Sequence, residues 1–491
     1  MRTRINARFV VAHDGQDHVV HEHGEVVYDG DRIVHAGSPF EGTADVEIDE
    51  GDALVGPGFV DLNALGDIDH AVFDTHQPPA LASGLAWSED YVGRRREVFT
   101  PGERATIREL AFQQLLLNGI TTAMPIASEI YTSWAENYDD LAAAAASAAR
   151  LGLRVYLGPS FRASVPIVDA RGEPGVFEDL ALGEHGLAEA VRFAQDFDGA
   201  SDGLVRAALL PSRVENQTTG LLQRAKEASD DNGWPIRLHA GQTLSEVDAI
   251  AHRHALRPIE YLDAIGFLGP RTAIPHAWAV DGHSQLPASG HADLDRLARS
   301  GTTVVFCPMA VARFGVVLES FDRYRAHGVA MAMGTDTAPP DMVRAMDTGM
   351  VLTKAVERVK SAGSAADLYR AATLGGAHAL GRADLGRLSP GAQADLVSFD
   401  LSAPHFGPVD DPIRSLVMNG NGRDVRRVVV AGRTTVEHGR VVGVDHERSR
   451  AQAQAIHDKY RASYPERDRL RRPEHELFPP SFRMERHADR R

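Results

Sequence analysis

The stretch "PGFVDLNALGDIDH", residues 57 to 70, decides how this chain is read. Pro57 to Asp61 is an apolar run of strand character, bounded by Pro and Gly and leading into a polar turn. A strand of this kind delivers its C-terminal end to a functional surface. What it delivers is Asn63, Leu65 and then the compact polar "GDIDH" with Asp67, Asp69 and His70.

Similar apolar runs recur downstream: "GITTAMPI", "GLRVYLGPS", "GLVRAALLP", "WPIRLHAG", "RTAIPHAW", "GTTVVFCPM" and "GVAMAMGTD". Amphipathic helical patterns such as "ERATIRELAFQQLLLNG" and "TGLLQRAKEASDDNG" lie between several of them and end at Asn-Gly. Counting "ALVGPGFVD" as the first gives eight strands in β/α alternation, which suits a (β/α)8 TIM barrel better than an open doubly wound sheet. Short strands with Gly turns also mark both ends of the chain ("RINARFVVAHDG", "GEVVYDGDRIVHAGS"; "GAQADLVSFDL", "RDVRRVVVAGRTTVEHGRVVG"). The expected organisation is a small β-sandwich domain from residues 1–56 and 385–445, a barrel over 57–384, and a polar tail over 446–491. The first half of the tail reads as a surface helix; the remainder is expected to wrap a neighbour or stay disordered.

Composition narrows the function classes. The 491 residues are 43% hydrophobic and 24% charged, ordinary for a soluble globular protein. A net charge of −16 argues against a nucleic-acid surface. The opening apolar run is too short for a signal peptide, and no stretch approaches the roughly 18 apolar residues of a membrane span. A single cysteine, Cys307, rules out a disulfide framework and a thiolate metal cage. The expected location is the cytoplasm. Neither a dinucleotide nor a nucleotide-triphosphate glycine loop is present.

In a (β/α)8 barrel, chemistry sits at the C-terminal ends of the strands. His239 in "IRLHAGQ", His276 in "AIPHAW" and Asp336 in "AMGTD" each directly follow an apolar run. Singly, each has a structural explanation: a hydrogen-bonded packing histidine, or an aspartate capping the next helix. Three on three separate strand ends converge on one site. Imidazole and carboxylate are ligands for Zn²⁺ or Fe²⁺ and equally good acid–base partners.

With these residues in place, the chain resembles the amidohydrolase superfamily, in its branch of triazine hydrolases, guanine deaminases and cytosine deaminase-like enzymes. The resemblance spans about residues 1 to 445. It is carried by "PGFVD", "GITT", "CPM" and "GTD" in family order and by "ATLGGAHALGRADLGRLSPGAQADLVSFDL", "HFGPVDDP" and "NGRDVRRVVVAGRTTVEHGRVV". It implies a metal-activated hydroxide held by H-x-H after the first strand, a histidine on the fifth and an aspartate on the eighth. It also implies a proton-shuttling glutamate three residues after the fifth-strand histidine, and a further histidine on the sixth strand. His239, His276 and Asp336 match the fifth, sixth and eighth strands. Asn63 and Leu65 stand where H-x-H is expected, and Gln242 where the glutamate is. Leucine cannot ligate a metal, asparagine is a poor zinc ligand, and glutamine has no proton to shuttle.

Three readings remain open. His239, His276 and Asp336 hold a reduced mononuclear Zn or Fe site, with Asp67, Asp69 or His70 as local replacements. Alternatively the chemistry is metal-free: a His/Asp pair activates water for hydrolysis, ring opening or tautomerisation, and Asn63 and Gln242 bind substrate. Or the scaffold is a non-catalytic binding or partner subunit. The expected activity is hydrolysis of a non-peptide C–N bond in a small nitrogen heterocycle. Arg213, in "LPSRVENQT" with Ser212, Asn216 and Gln217, and Met309, in "CPMAVARFG" with Arg313, are further substrate-binding candidates. Trp87, Trp134 and Trp278 offer flat faces, with core packing as their plainer role. The resemblance implies a homodimer or larger homo-oligomer.

Overall fold

The structure is a computed structural model that describes residues 1–68, 87–126, 132–287 and 290–484. The eight expected barrel strands are present as two parallel four-stranded halves. One half contains Phe59–Leu65, Ile120–Ile126, Arg154–Leu157 and Val205–Ala207; the other contains Ile236–Arg237, Thr272–Pro275, Thr303–Phe306 and Ala330–Met333. Parallel bridges Leu209↔Ile236 and Arg213↔His239 join the fourth strand region to the fifth. The eighth closes on the first through the Asp336 N–H, which donates to Asn63 O at 2.9 Å. Closure of this kind removes the sheet edges and makes one ring of strand ends. The chain therefore folds as a (β/α)8 barrel.

"ALVGPGFVD" proves to be two strands, not one. Ala53–Pro57 pairs antiparallel with Leu396–Asp400 and belongs to the terminal sheet, whereas Phe59–Leu65 enters the barrel. The switch falls at Gly58, where a Cβ would meet the Thr121 side chain at 2.1 Å. Only glycine allows so close a crossing. The terminal sheet has nine strands drawn from both chain ends, with Ala53–Pro57 and Leu396–Asp400 adjacent at its middle. Its own apolar cluster includes Ile5, Val10, Val26, Val55, Leu396 and Val429. A buried Arg154–Asp395 pair, 3.0 Å from Nε to Oδ2, fastens the barrel's third strand to this sheet.

The helices carry the start and stop signals seen in sequence. Pro101–Leu117 opens with a capping box between Thr100 and Glu103. Thr219–Asn232 opens on Thr218 and stops at Gly233, whose φ of +72° is the left-handed conformation glycine adopts freely.

The tail departs from expectation. His446–Ser463 is a helix, but it and the segment beyond fold back on the same chain. Tyr460, Tyr464, Leu477 and Phe478 pack with Ile107 and Leu110 of the Pro101–Leu117 helix. The polar face supplies Lys459 to Glu103 at 2.7 Å and Glu466 to Arg96 at 2.6 Å. Aromatic and leucine side chains scattered through a polar stretch give enough apolar surface to dock. Among the described residues, no helix is long and apolar enough to cross a membrane.

Candidate functional site

The first barrel strand is buried along its whole length, and its polar residues are therefore committed to specific partners. The Asp61 carboxylate accepts from the Asn63 N–H at 3.0 Å, the Thr335 N–H at 3.1 Å and the Thr335 hydroxyl at 2.5 Å. These bonds lock the end of the first strand against the end of the eighth. Burial outweighs them and pushes Asp61 up to about 6. Asn63 turns its amide Nδ2 toward Cys307 Sγ at 3.7 Å, and its Oδ1 makes no hydrogen bond among the described residues. Leu65 is buried and apolar.

His239, His276 and Asp336 stand at the C-terminal ends of the fifth, sixth and eighth strands. The His239 and His276 rings lie 5.4 Å apart between centroids, and His276 Nε2 lies 3.4 Å from Asp336 Oδ2. His239 Nδ1 is 3.0 Å from Ser212 O. A carbonyl only accepts, so Nδ1 carries the proton and Nε2 keeps its lone pair. His276 is only 2% exposed, yet neither of its ring nitrogens makes a hydrogen bond among the described residues. Its backbone φ is +66° and that of Asp336 is +47°. Left-handed backbone at non-glycine residues costs energy and clusters where a side chain must be aimed.

The charge states follow from burial. His276 is driven down to about 3 by burial, with Arg213 and Arg237 acting the same way, so its ring is neutral. His239 is likewise held well below the ordinary histidine value, first by burial and then by His276 and Arg237. Asp336 is pushed up to about 8 by burial and by Asp61, against the pull of Arg237 and Arg213. The 3.4 Å contact is thus no salt bridge: a neutral imidazole faces a carboxyl group that holds or releases a proton near neutral pH.

Gln242 is fixed at three points. Its Oε1 accepts from Arg213 Nη2 at 2.6 Å and Nε at 3.2 Å, its N–H donates to Glu246 at 3.0 Å, and its carbonyl accepts from Trp278 Nε1 at 2.5 Å. With Oε1 doubly engaged, the amide NH2 is the group left to meet a ligand. Glu246, which also receives the Gly241 N–H at 2.5 Å, is fully buried.

Other candidates have structural employment. Met309 is buried in the main hydrophobic core. Gln217 donates to Phe161 O at 2.8 Å, and Asn216 is buried in a short 3-10 turn. Trp87 and Trp134 pack in a side cluster with Arg162 over both rings. Trp278 is fully buried. Asp67 is buried close enough to Asp336 to raise its pKa, whereas Asp69 and His70 lie outside the described residues.

Sequence reasoning passed over Arg237. It is 2% exposed, two residues before His239 on the same face of the fifth strand. Its Nη1 donates to Met124 O at 2.6 Å and Leu62 O at 3.2 Å. Burial lowers it to about 9, so it remains a cation at neutral pH. An arginine inside the apolar run "WPIRLHAG", in phase with His239, was the available signal.

As arranged, these residues do not fit a metal centre. Among the described residues, no group of three or more His, Cys, Asp or Glu side chains is placed to hold a metal ion. The first strand offers no histidine: the Asp61 carboxylate is engaged by Asn63 and Thr335, the Asn63 amide oxygen is a weak ligand, and the Arg237 guanidinium occupies the barrel interior.

The barrel gathers its polar residues at the strand ends and carries a sheet built from both chain termini. The amidohydrolase family profile matches residues 83–435, and the chain belongs to that family, hydrolases of non-peptide carbon–nitrogen bonds. It is 28% identical over 435 residues to a 5-methylthioadenosine/S-adenosylhomocysteine deaminase of Natronomonas pharaonis, covering 86% of this chain and 89% of that one. It is 31% identical over 258 residues to a 5'-deoxyadenosine deaminase of Methanothermobacter thermautotrophicus, covering 52% of this chain and 58% of that one. In fold it is similar to a zinc-bound adenosine deaminase from Xanthomonas campestris (TM-score 0.74, 23% identity, 94% of this chain and 98% of that one). It is also similar to a zinc-complexed atrazine chlorohydrolase from Arthrobacter aurescens (TM-score 0.74, 22% identity, 92% and 99%).

Proposed function

We propose that this protein hydrolyses the bond between a ring carbon and an exocyclic nitrogen of a small aminated heterocycle, using the His276–Asp336 pair as its acid–base machinery. The observation that carries this reading is the pair itself. A buried histidine with both ring nitrogens uncommitted faces a buried carboxyl group at 3.4 Å, and both residues are held on left-handed backbone. The deaminase relatives support the choice of an amino-substituted ring.

In the ionised form, Asp336 takes a proton from a water molecule whose oxygen adds to the ring carbon. The same carboxyl returns that proton to the departing nitrogen, which leaves as ammonia as its bond to carbon breaks; the remaining hydroxyl proton passes to the adjacent ring nitrogen, and the oxygen stays as the product carbonyl. His276 orients the water or the developing alkoxide through Nε2, and His239 offers the Nε2 lone pair on the other side. The Gln242 amide NH2, steadied by Arg213, and Asn63 Oδ1 are the groups that hold the ring.

A mononuclear zinc or iron site made by His239, His276 and Asp336 is the competing reading, favoured by the zinc held in structurally similar proteins. A homodimer and a cytoplasmic location complete the proposal; light scattering of the purified chain tests the first. Ammonia release from a panel of aminopurines, adenine nucleosides and aminotriazines tests the activity. Turnover that survives Asp336→Asn would remove the pair from the mechanism; tight ring binding without turnover would leave a binding protein.

A further inference from the structure

We propose that the Arg237 guanidinium is the resident cation of this site and takes the place of a divalent metal ion. The side chain rises from the fifth strand and reaches across the barrel. Nη1 donates to the carbonyls of Leu62 on the first strand and Met124 on the second at 3.2 and 2.6 Å, and Nη2 lies 3.4 Å from Pro125 O. Three backbone carbonyls from two strands therefore hold one charge in a fixed position.

Carbonyl partners solvate a cation without neutralising it. The positive charge remains available to the acidic groups around it, and Asp336, Cys307 and Asp61 are its electrostatic neighbours. Leu62 directly precedes Asn63, and Asp336 is tied to Asn63 through its backbone N–H at 2.9 Å. The guanidinium thus sits beneath the same strand ends that present Asn63, His239 and Asp336. A divalent ion placed among His239, His276 and Asp336 would meet the field of a guanidinium that already acts on all three, in buried surroundings where screening is weak.

The donor chemistry agrees with the charge. Leu65 provides nothing to bind a metal, and Asn63 turns its amide nitrogen toward Cys307. Arginine cannot relieve the conflict by losing its proton as lysine would. Arg237 is thus a positioning residue: it holds Asp336 and the strand ends in the field that a metal would otherwise supply. The inference concerns charge at the site and stands whichever heterocycle is turned over.

Metal binding tests it without any substrate. Full-length protein purified without added metal is expected to contain substoichiometric zinc, iron, manganese and cobalt by plasma mass spectrometry, and to take up no zinc against a chromophoric chelator. Asn63→His/Leu65→His restores two donors. With Arg237 retained, this variant is expected to bind cobalt on the order of 10²-fold more weakly than the same variant carrying Arg237→Met, read from the visible d–d absorption. Stoichiometric metal in the native chain would overturn the proposal. So would equal cobalt affinity with and without Arg237. Should the triple variant fail to fold, native metal content and zinc uptake decide alone.

Discussion

The Arg213 guanidinium grips Gln242 with two hydrogen bonds to one atom, Oε1, at 2.6 and 3.2 Å. The grip fixes which end of the amide is free: the oxygen is consumed and the NH2 points onward. A glutamine held in this way is a hydrogen-bond donor toward a ring acceptor, a role that needs no titratable proton.

Removing the grip is expected to weaken substrate binding more than chemistry. Arg213→Met leaves the amide free to rotate and should raise KM about 10- to 100-fold, with kcat changed far less, as loss of a charge-assisted bond implies. Steady-state kinetics on the preferred heterocycle gives the split. A fall in kcat at unchanged KM would assign Arg213 to the chemical step instead.

Asp336→Asn keeps the backbone bond to Asn63 and the size of the side chain but removes the exchangeable proton. Turnover should drop by about 10²- to 10⁴-fold, the range that a lost general acid–base group produces. The melting temperature should move by only a few degrees, because the barrel closure through Asp61 and Thr335 is untouched. Near-native turnover in this variant is the outcome the mechanism cannot accommodate.

Glu246 gives the fold a pH dependence of its own. Burial, and then the Glu215 carboxylate, push it above the usual carboxylate range despite the N–H groups of Gln242 and Gly241. The folded chain therefore keeps a proton that the unfolded chain releases at ordinary carboxylate pH. Stability falls as pH rises through the window between the two values, and it is recovered as pH drops toward the ordinary value. The slope from this one group reaches at most about 1.4 kcal/mol per pH unit. Urea unfolding at intervals from acid to mildly alkaline pH should show a shallower decline for Glu246→Gln. Parallel curves for the two proteins would mean that Glu246 does not hold that proton.

The C-terminal segment is expected to behave as part of the fold. Leu477 is fully buried among Tyr460, Tyr464, Phe478 and the Pro101–Leu117 helix. Leu477→Ala should cost about 2–5 kcal/mol, the range for a buried leucine truncated to alanine. Denaturant midpoints with unchanged slope would register it. A loss within error would show that the tail is not docked in solution.

Much of this protein was legible along the chain. Eight apolar runs, several of them separated by helical patterns, point to parallel strands with helical crossovers, and their number suits a barrel better than an open sheet. The same runs put His239, His276 and Asp336 at strand ends, since each lies where an apolar stretch gives out. The mismatch at Asn63, Leu65 and Gln242 was equally plain. What the chain could not disclose is anything that depends on two strands meeting across the lumen. The switch at Gly58 rests on the close approach of Thr121, and the docked tail rests on a helix some 350 residues earlier in the chain, as in the Lys459–Glu103 pair (|i−j| = 356). Arg237 is the clearest case. Period two tells that it shares a face with His239, but only closure of the barrel brings the carbonyls of Leu62, Met124 and Pro125 around its guanidinium. Local pattern assigns a side chain to the interior; which partner it finds there is set by curvature and strand stagger, which belong to the closed sheet and not to any one segment.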